Sequence, residues 1–153
     1  MIYIGIDPGL SGGIGIIYPD NTVVSYMYKS SKLIEVIKSL VYEDVYITVE
    51  QVHAMPHQGV TSMFTFGTGY GTILGIIEAL GREYHLVNPQ TWKKLIGVTF
   101  DKSTSIRKAQ ELFPDVSLLP TPRCRKPSDG MAESLLIAEY GRRINNKQKQ
   151  LRK

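Results

Sequence analysis

Asp7 closes the apolar run Ile2-Tyr3-Ile4-Gly5-Ile6 and is followed by Pro8-Gly9, which sets a carboxylate at the tip of a hydrophobic strand against a glycine-rich turn. A carboxylate there cannot join the apolar packing beneath it and becomes useful when a cation meets it. Glu50 ends a second run, Val45-Tyr46-Ile47-Thr48-Val49, in the same way. Asp129 and Glu133 stand four apart ahead of Leu135-Leu136-Ile137-Ala138, so on a helix both project from one face, where like charges repel unless a cation bridges them. Taken singly, each acid reads more readily as a helix cap or a surface charge, and Asp129 in particular as an N-cap. Their joint placement carries the chemistry. Oxygen donors with no histidine or thiolate partner favour Mg²⁺ or Mn²⁺ over zinc. They suit phosphodiester hydrolysis, in which one metal lowers the pKa of the attacking water and a second, ~4 Å away, stabilises the leaving oxygen.

The elements that must position these acids follow from apolar periodicity. Ile2 to Asp7, Gly13 to Tyr18 and Val23 to Tyr28 are β-branched runs separated by Pro8-Gly9-Leu10-Ser11-Gly12 and Pro19-Asp20-Asn21, which predicts a three-strand meander. Helical spacing over Ser31 to Tyr42 precedes the strand that ends at Glu50. A strand reached from a meander through a helix lies parallel to an earlier strand by a right-handed crossover, which would bring Glu50 beside Asp7. Thr61 to Leu80 is apolar but holds Gly67, Gly69, Gly71 and Gly75, the pattern of a buried or interface helix that packs closely against a neighbour. A short strand at Tyr84 to Val87 follows, then a helix capped by Asn88 with Pro89 in its first turn, and another from Lys102 or Ser103 to Phe113. Pro114 to Ser128 holds four prolines together with Arg123, Arg125 and Lys126, and is expected to be a mobile basic loop. The last helix opens at Ser128 or Asp129 and is expected to reach about Asn145, leaving 146–153 as a fraying basic tail.

At 153 residues the chain suits one core, a single domain over 1–145. With one cysteine, Cys124, it has no internal disulfide and no cysteine-based zinc knuckle, and with no long apolar span or cleavable signal it is expected in the cytoplasm. The net charge of +4 hides an asymmetry, because residues 1–92 carry four Lys/Arg against eight Asp/Glu while residues 93–153 carry fourteen against six. A basic half of this kind suits a polyanion, since each neutralised phosphate releases condensed counterions; a solvated tail and helix face is the plainer reading.

Three segments together resemble a known family. Ile4-Gly5-Ile6-Asp7-Pro8-Gly9, Glu50-Gln51-Val52 after a strand, and Asp129-x-x-x-Glu133 ahead of Leu-Leu-Ile-Ala look like the RuvC family of Holliday-junction resolvases, in its phage-borne branch. Gly67 to Leu80 resembles that family's glycine-containing helix, and Pro89-Gln90-Thr91-Trp92-Lys93-Lys94 with Gly97 its lysine-bearing segment. The aspartate motif alone is shared with actin-like kinases and other ribonuclease-H-like proteins; the ordered set is far more specific. The resemblance implies an α/β, ribonuclease-H-like mixed sheet, three antiparallel strands then parallel ones, flanked by helices. It also implies a homodimer and metal-dependent paired nicks across a four-way DNA junction that leave 5′-phosphates. Asp7, Glu50, Asp129 and Glu133 match the family's four metal-binding acids, and Lys102 a lysine near its active site. The chain departs from the cellular enzymes in two places: the last acid is Glu133 rather than an aspartate and is spaced by four rather than three, and His53 stands where many members carry an aromatic that stacks on a junction base.

His53 and His57, with Met55 and Gln58, follow Glu50 in a loop where a flat ring could stack on an unpaired base. Glu50, His53 and His57 do not make a convincing zinc site, because Pro56 interrupts any helix that would align them. Lys93, Lys94, Lys102, Arg107 and Lys108 are expected to contact phosphates, with Lys102 stabilising charge on the transferring group, and Arg123, Arg125 and Lys126 to clamp the backbone beside the scissile bond. Arg142, Arg143 and the tail cations add unspecific attraction, and Trp92 is expected to pack in the core. A non-catalytic branched-DNA-binding module is the alternative. A nucleotide-handling kinase fragment fits poorly, since such proteins need two domains of this kind and the chain has no Walker-type phosphate loop. Neither a nucleotide cofactor nor a membrane is expected.

Overall fold

The computed structural model describes residues 1–53 and 59–152. Strands β1 (Ile2–Asp7), β2 (Gly13–Ile17) and β3 (Val23–Met27) form the expected meander, and after helix α1 (Ser30–Ser39) strand β4 (Val45–Glu50) returns to the sheet. Helix α2 (Val60–Ala79), strand β5 (Tyr84–Val87) and helices α3 (Pro89–Ile96), α4 (Lys102–Leu112) and α5 (Asp129–Leu151) complete the chain. The strand order is β3-β2-β1-β4-β5, antiparallel across β3, β2 and β1 and parallel from β1 through β4 to β5. This is the α/β mixed sheet with flanking helices that the sequence predicts.

Side-chain alternation along the strands divides the core in two. Ile2, Ile4 and Ile6 of β1 with Ile47 and Val49 of β4 pack under α1 and the end of α2, against Leu33, Val36, Ile37, Ile73 and Ile77. The opposite face meets α5 through Tyr3, Ile17 and Val87, packed with Leu135, Leu136 and Ala138. Helix α5 lies unusually close to the sheet because the strand residues beneath it are glycines. A Cβ on Gly15 would stand 2.6 Å from the Leu135 nitrogen, and one on Gly5 would overlap the Ser134 carbonyl oxygen. A side chain at either position would lift the helix that carries the last two acids.

Three segments differ from expectation. Of the two expectations for helix α2, buried or interface, the buried one fails: only Ile73 and Ile77 are enclosed, Val60 and Phe64 are 85% and 76% exposed, and among the described residues nothing lies within 4 Å of a Cβ placed on Gly67, Gly69, Gly71 or Gly75. Its twenty residues are also long and apolar enough to cross a membrane by length and composition, where no long apolar span was expected. Residues 146–151 are helical rather than frayed; Asn145 and Asn146 tie this end to the Tyr3 hydroxyl, and lysine and glutamine beyond them propagate a helix well. The proline-rich segment before α5 forms neither helix nor strand, but it is anchored by buried Leu118, whose carbonyl accepts from the Ser128 N–H at 2.8 Å.

Candidate active site

Parity places the first two acids. Asp7 continues the series Tyr3, Gly5 of β1 and Glu50 the series Tyr46, Thr48 of β4, both on the face covered by α5. The parallel register Ile6↔Val49 makes Asp7 and Glu50 the next residues on neighbouring strands. Ser128, not Asp129, is the N-cap of α5, its hydroxyl accepting from the Met131 N–H at 3.2 Å. Asp129 is therefore released from capping and stands in the first turn, one residue before Gly130, where a side chain would overlap the Ser11 carbonyl in the β1–β2 turn. Asp129 and Glu133 are thus held over the end of β1.

Asp7, Asp129, Glu133 and Lys102 line one open cavity of about 410 Å³, walled by Gly9, Leu10 and Ser11 on one side and by Ser62 and Phe66 of α2 on the other. Glu50 is not part of this lining; it follows Val49 on β4, next to Asp7 on the neighbouring strand. Each carboxylate has one oxygen engaged. Asp7 Oδ1 accepts from the Gly9 N–H at 2.9 Å, and Glu50 Oε1 from the Trp92 indole N–H at 2.7 Å. Glu133 Oε1 accepts from the Lys93 ammonium and from the Ser105 hydroxyl at 3.0 Å, while Asp129 Oδ2 pairs with the Lys102 ammonium at 2.5 Å. Among the described residues no donor meets the second oxygen of any of the four.

The electrostatics record a shortage of positive charge. Burial pushes the Asp7 carboxyl up to about 7, the charges of Glu50, Glu133 and Asp129 push the same way, and the Gly9 hydrogen bond only partly opposes them. Burial likewise raises Glu50, against the Trp92 hydrogen bond. Lys102 is held above the ordinary lysine range by its hydrogen bond and charge contact with Asp129. As the side chains are placed here, no three acidic, histidine or cysteine groups among the described residues are close enough to hold one metal ion, and Glu133 and Asp129 are instead paired with Lys93 and Lys102. The donor set itself fits a hard divalent cation: it is all carboxylate oxygen, one oxygen of each group is open, and Asp7 is destabilised as an anion until positive charge arrives.

The remaining candidates divide. Lys93 was expected on a phosphate-facing surface and is instead 6% exposed, its ammonium turned inward to Glu133 and over the Trp92 ring at 4.2 Å. The amphipathic spacing of α3 accounts for this, since Trp92, Lys93 and Ile96 form its buried side. Lys94, Arg107, Arg123, Arg125 and Lys126 are exposed, and Lys108 is partly covered and paired with Glu111 at 2.9 Å. Arg142 and Arg143 both bond buried Glu139, at 2.7 and 2.8 Å, so one of their two charges is balanced within the fold. His53 is exposed just past Glu50; Met55, His57 and Gln58 lie outside the described residues. Trp92 is fully buried, as its sequence context suggests, but its bond to Glu50 was not foreseen, and nor was that of Ser105 to Glu133. The spacing of Trp92 and Lys93 with Ile96 was the available signal.

A mixed sheet in this order, with acids at the ends of β1 and β4 and a helix bearing two more laid across them, is the ribonuclease-H-like fold. Among solved structures the chain is similar to Thermus thermophilus RuvC. The match to that protein in complex with a Holliday junction substrate has a TM-score of 0.64 at 15% identity, over 94% of this chain and 96% of that one. The match to a T. thermophilus RuvC structure has a TM-score of 0.58 at 16% identity, over 95% and 97%. No protein-family model and no curated protein sequence matches the chain.

Proposed function

We propose that this protein is a divalent-metal-dependent, structure-selective endonuclease that resolves four-way DNA junctions, and that it also acts on other branched DNA such as forks and flaps. The observation that carries the reading is the gathering of Asp7, Asp129 and Glu133 around one open cavity beside Lys102, with Glu50 next to Asp7 on the neighbouring strand, in a fold shared with RuvC. Asp7, Glu50, Asp129 and Glu133 would hold Mg²⁺, for which Mn²⁺ substitutes; bound there it would activate a water for attack on the phosphodiester and neutralise charge on the leaving oxygen. Lys102, largely exposed at the cavity mouth, is placed to exchange Asp129 for a phosphate oxygen. Lys94, Arg107, Arg123, Arg125 and Lys126 supply sequence-independent backbone attraction, with Lys108 at the margin. His53 is available to stack on an unpaired base, and His57 is assigned to the same loop from its sequence position.

The apolar, glycine-rich outer face of α2 supports a homodimer, and two copies would deliver the paired nicks leaving 5′-phosphates that the four-way substrate requires. Its place of action is the cytoplasm, that of a bacterial host for a phage-borne protein, at replication or recombination intermediates.

The purified protein with Mg²⁺ should nick a synthetic four-way junction symmetrically, and Asp7→Asn should abolish nicking while retaining junction binding. Absence of metal-dependent nicking of junctions, forks and flaps alike would defeat the proposal. One observation favours a non-catalytic junction-binding module instead: Lys93 and Lys102 already neutralise Glu133 and Asp129. That reading predicts that Glu50→Gln leaves function unchanged, whereas the nuclease reading predicts a loss of at least about a hundredfold in rate, the order expected when charge stabilisation is removed.

A further inference from the structure

Trp92 and Lys93 are consecutive residues of α3, and each engages a different glutamate of the acidic pocket: the indole N–H binds Glu50 Oε1 and the ammonium binds Glu133 Oε1. The helix that presents them is fixed at both ends. Asn88 caps it by accepting from the Gln90 N–H at 2.8 Å, and Gly97, in the left-handed conformation at φ 84°, closes it. Trp92 is fully buried and packed with Val87, Ile96 and the α5 face, so its indole N–H has a fixed direction. Glu50, with one more rotatable side-chain bond than Asp7 on the neighbouring strand, would otherwise be free to swing.

We propose that Trp92 is a positioning residue for Glu50: its N–H occupies Oε1 and so leaves Oε2 as the oxygen that Glu50 would offer to a divalent cation held with Asp7. This inference rests on the nuclease reading above and deepens it. A neutral N–H donor suits the task, because it orients the carboxylate without cancelling the charge the cation needs, whereas a lysine in that place would compete with it. Two ammonium groups already pair with the other two acids, whereas among the described residues neither Glu50 nor Asp7 has an ion-pair partner.

The test is Mn²⁺ binding, read by the electron paramagnetic resonance of free ion during titration, for wild type, Trp92→Phe and Ile96→Val. Phenylalanine keeps an aromatic ring in the core and removes only the donor and the second ring; Ile96→Val perturbs the same buried side of α3 without touching an acid. Trp92→Phe should weaken Mn²⁺ binding by about tenfold, as loss of a partner behind a metal ligand does, with Ile96→Val within about twofold of wild type. Trp92 is also the only tryptophan, so Mn²⁺ should quench wild-type fluorescence and Glu50→Gln should alter the emission before any metal is added. Equal affinity in Trp92→Phe and wild type, or equal weakening in both α3 variants, overturns the inference alone. If wild type binds no Mn²⁺, the nuclease reading itself falls and takes the inference with it.

Discussion

At Asp7, burial and charge pull against function. The carboxyl is 8% exposed and lies among three other acids, so its ionised form is costly in the metal-free protein. With its pKa raised from 3.8 to about 7, the folded state holds a proton that the unfolded chain releases between those values. Stability is therefore fully present below about pH 4 and is lost as pH rises through about 7. Asp7→Asn, which can keep the Gly9 hydrogen bond, should raise the Tm of metal-free protein at pH 8, by a stability on the order of a few kcal/mol, and give little gain near pH 4. Thermal melts in EDTA at the two pH values check this; a destabilised variant at pH 8 would contradict it. That Asp7 and Glu50 sit at strand tips was legible from the apolar runs they end, because a strand core cannot absorb a carboxylate. The Trp92–Glu50 bond was not, because it joins residues forty-two apart through β5 and α3, whose placement no local pattern encodes.

Among the elements, α5 depends on glycines of the strands beneath it as well as on its own Gly130. Gly5 and Gly15 let its backbone lie on the sheet, and this approach, rather than the acids' own spacing, brings Asp129 and Glu133 to Asp7. Gly15→Ala forces a Cβ to within 2.7 Å of the Leu135 Cα, so either strand or helix must shift. The expected cost is about 1–3 kcal/mol in urea unfolding, as for an overpacked core, with Mn²⁺ affinity falling as the helix lifts. An unchanged unfolding midpoint would show that the sheet can yield there without strain. The meander, the parallel return of β4 and the Asn88 cap were all readable, since each is a local signal: turn residues, crossover handedness, a side-chain acceptor before proline. The length of α5 was underestimated because polarity after Asn145 suggested fraying, whereas the Tyr3 contacts and good helix formers carry it to Leu151.

For the whole molecule, cations and exposed apolar residues are concentrated in different stretches of the chain. The second half carries the cations and α2 the exposed apolar face, which suits a protein that grips a polyanion while pairing with a second copy. Sedimentation equilibrium should find a dimer, and Phe64→Asp, a charge on an exposed ring position, should give monomers whose melting temperature no longer rises with protein concentration. A monomeric wild type would remove the proposed pairing. Sequence alone could mark α2 as close-packing from its glycines but could not decide between a neighbour within the fold and one outside it; its open face argues for the second.

The account turns on whether the four carboxylates accept divalent ions in common. Crystals soaked in Mn²⁺ and measured at the manganese absorption edge should show anomalous density between Asp7, Glu50, Asp129 and Glu133, with Glu133 and Asp129 turned from Lys93 and Lys102 toward it. Full soaking with no anomalous peak in that pocket, and both lysine pairs intact, would contradict it.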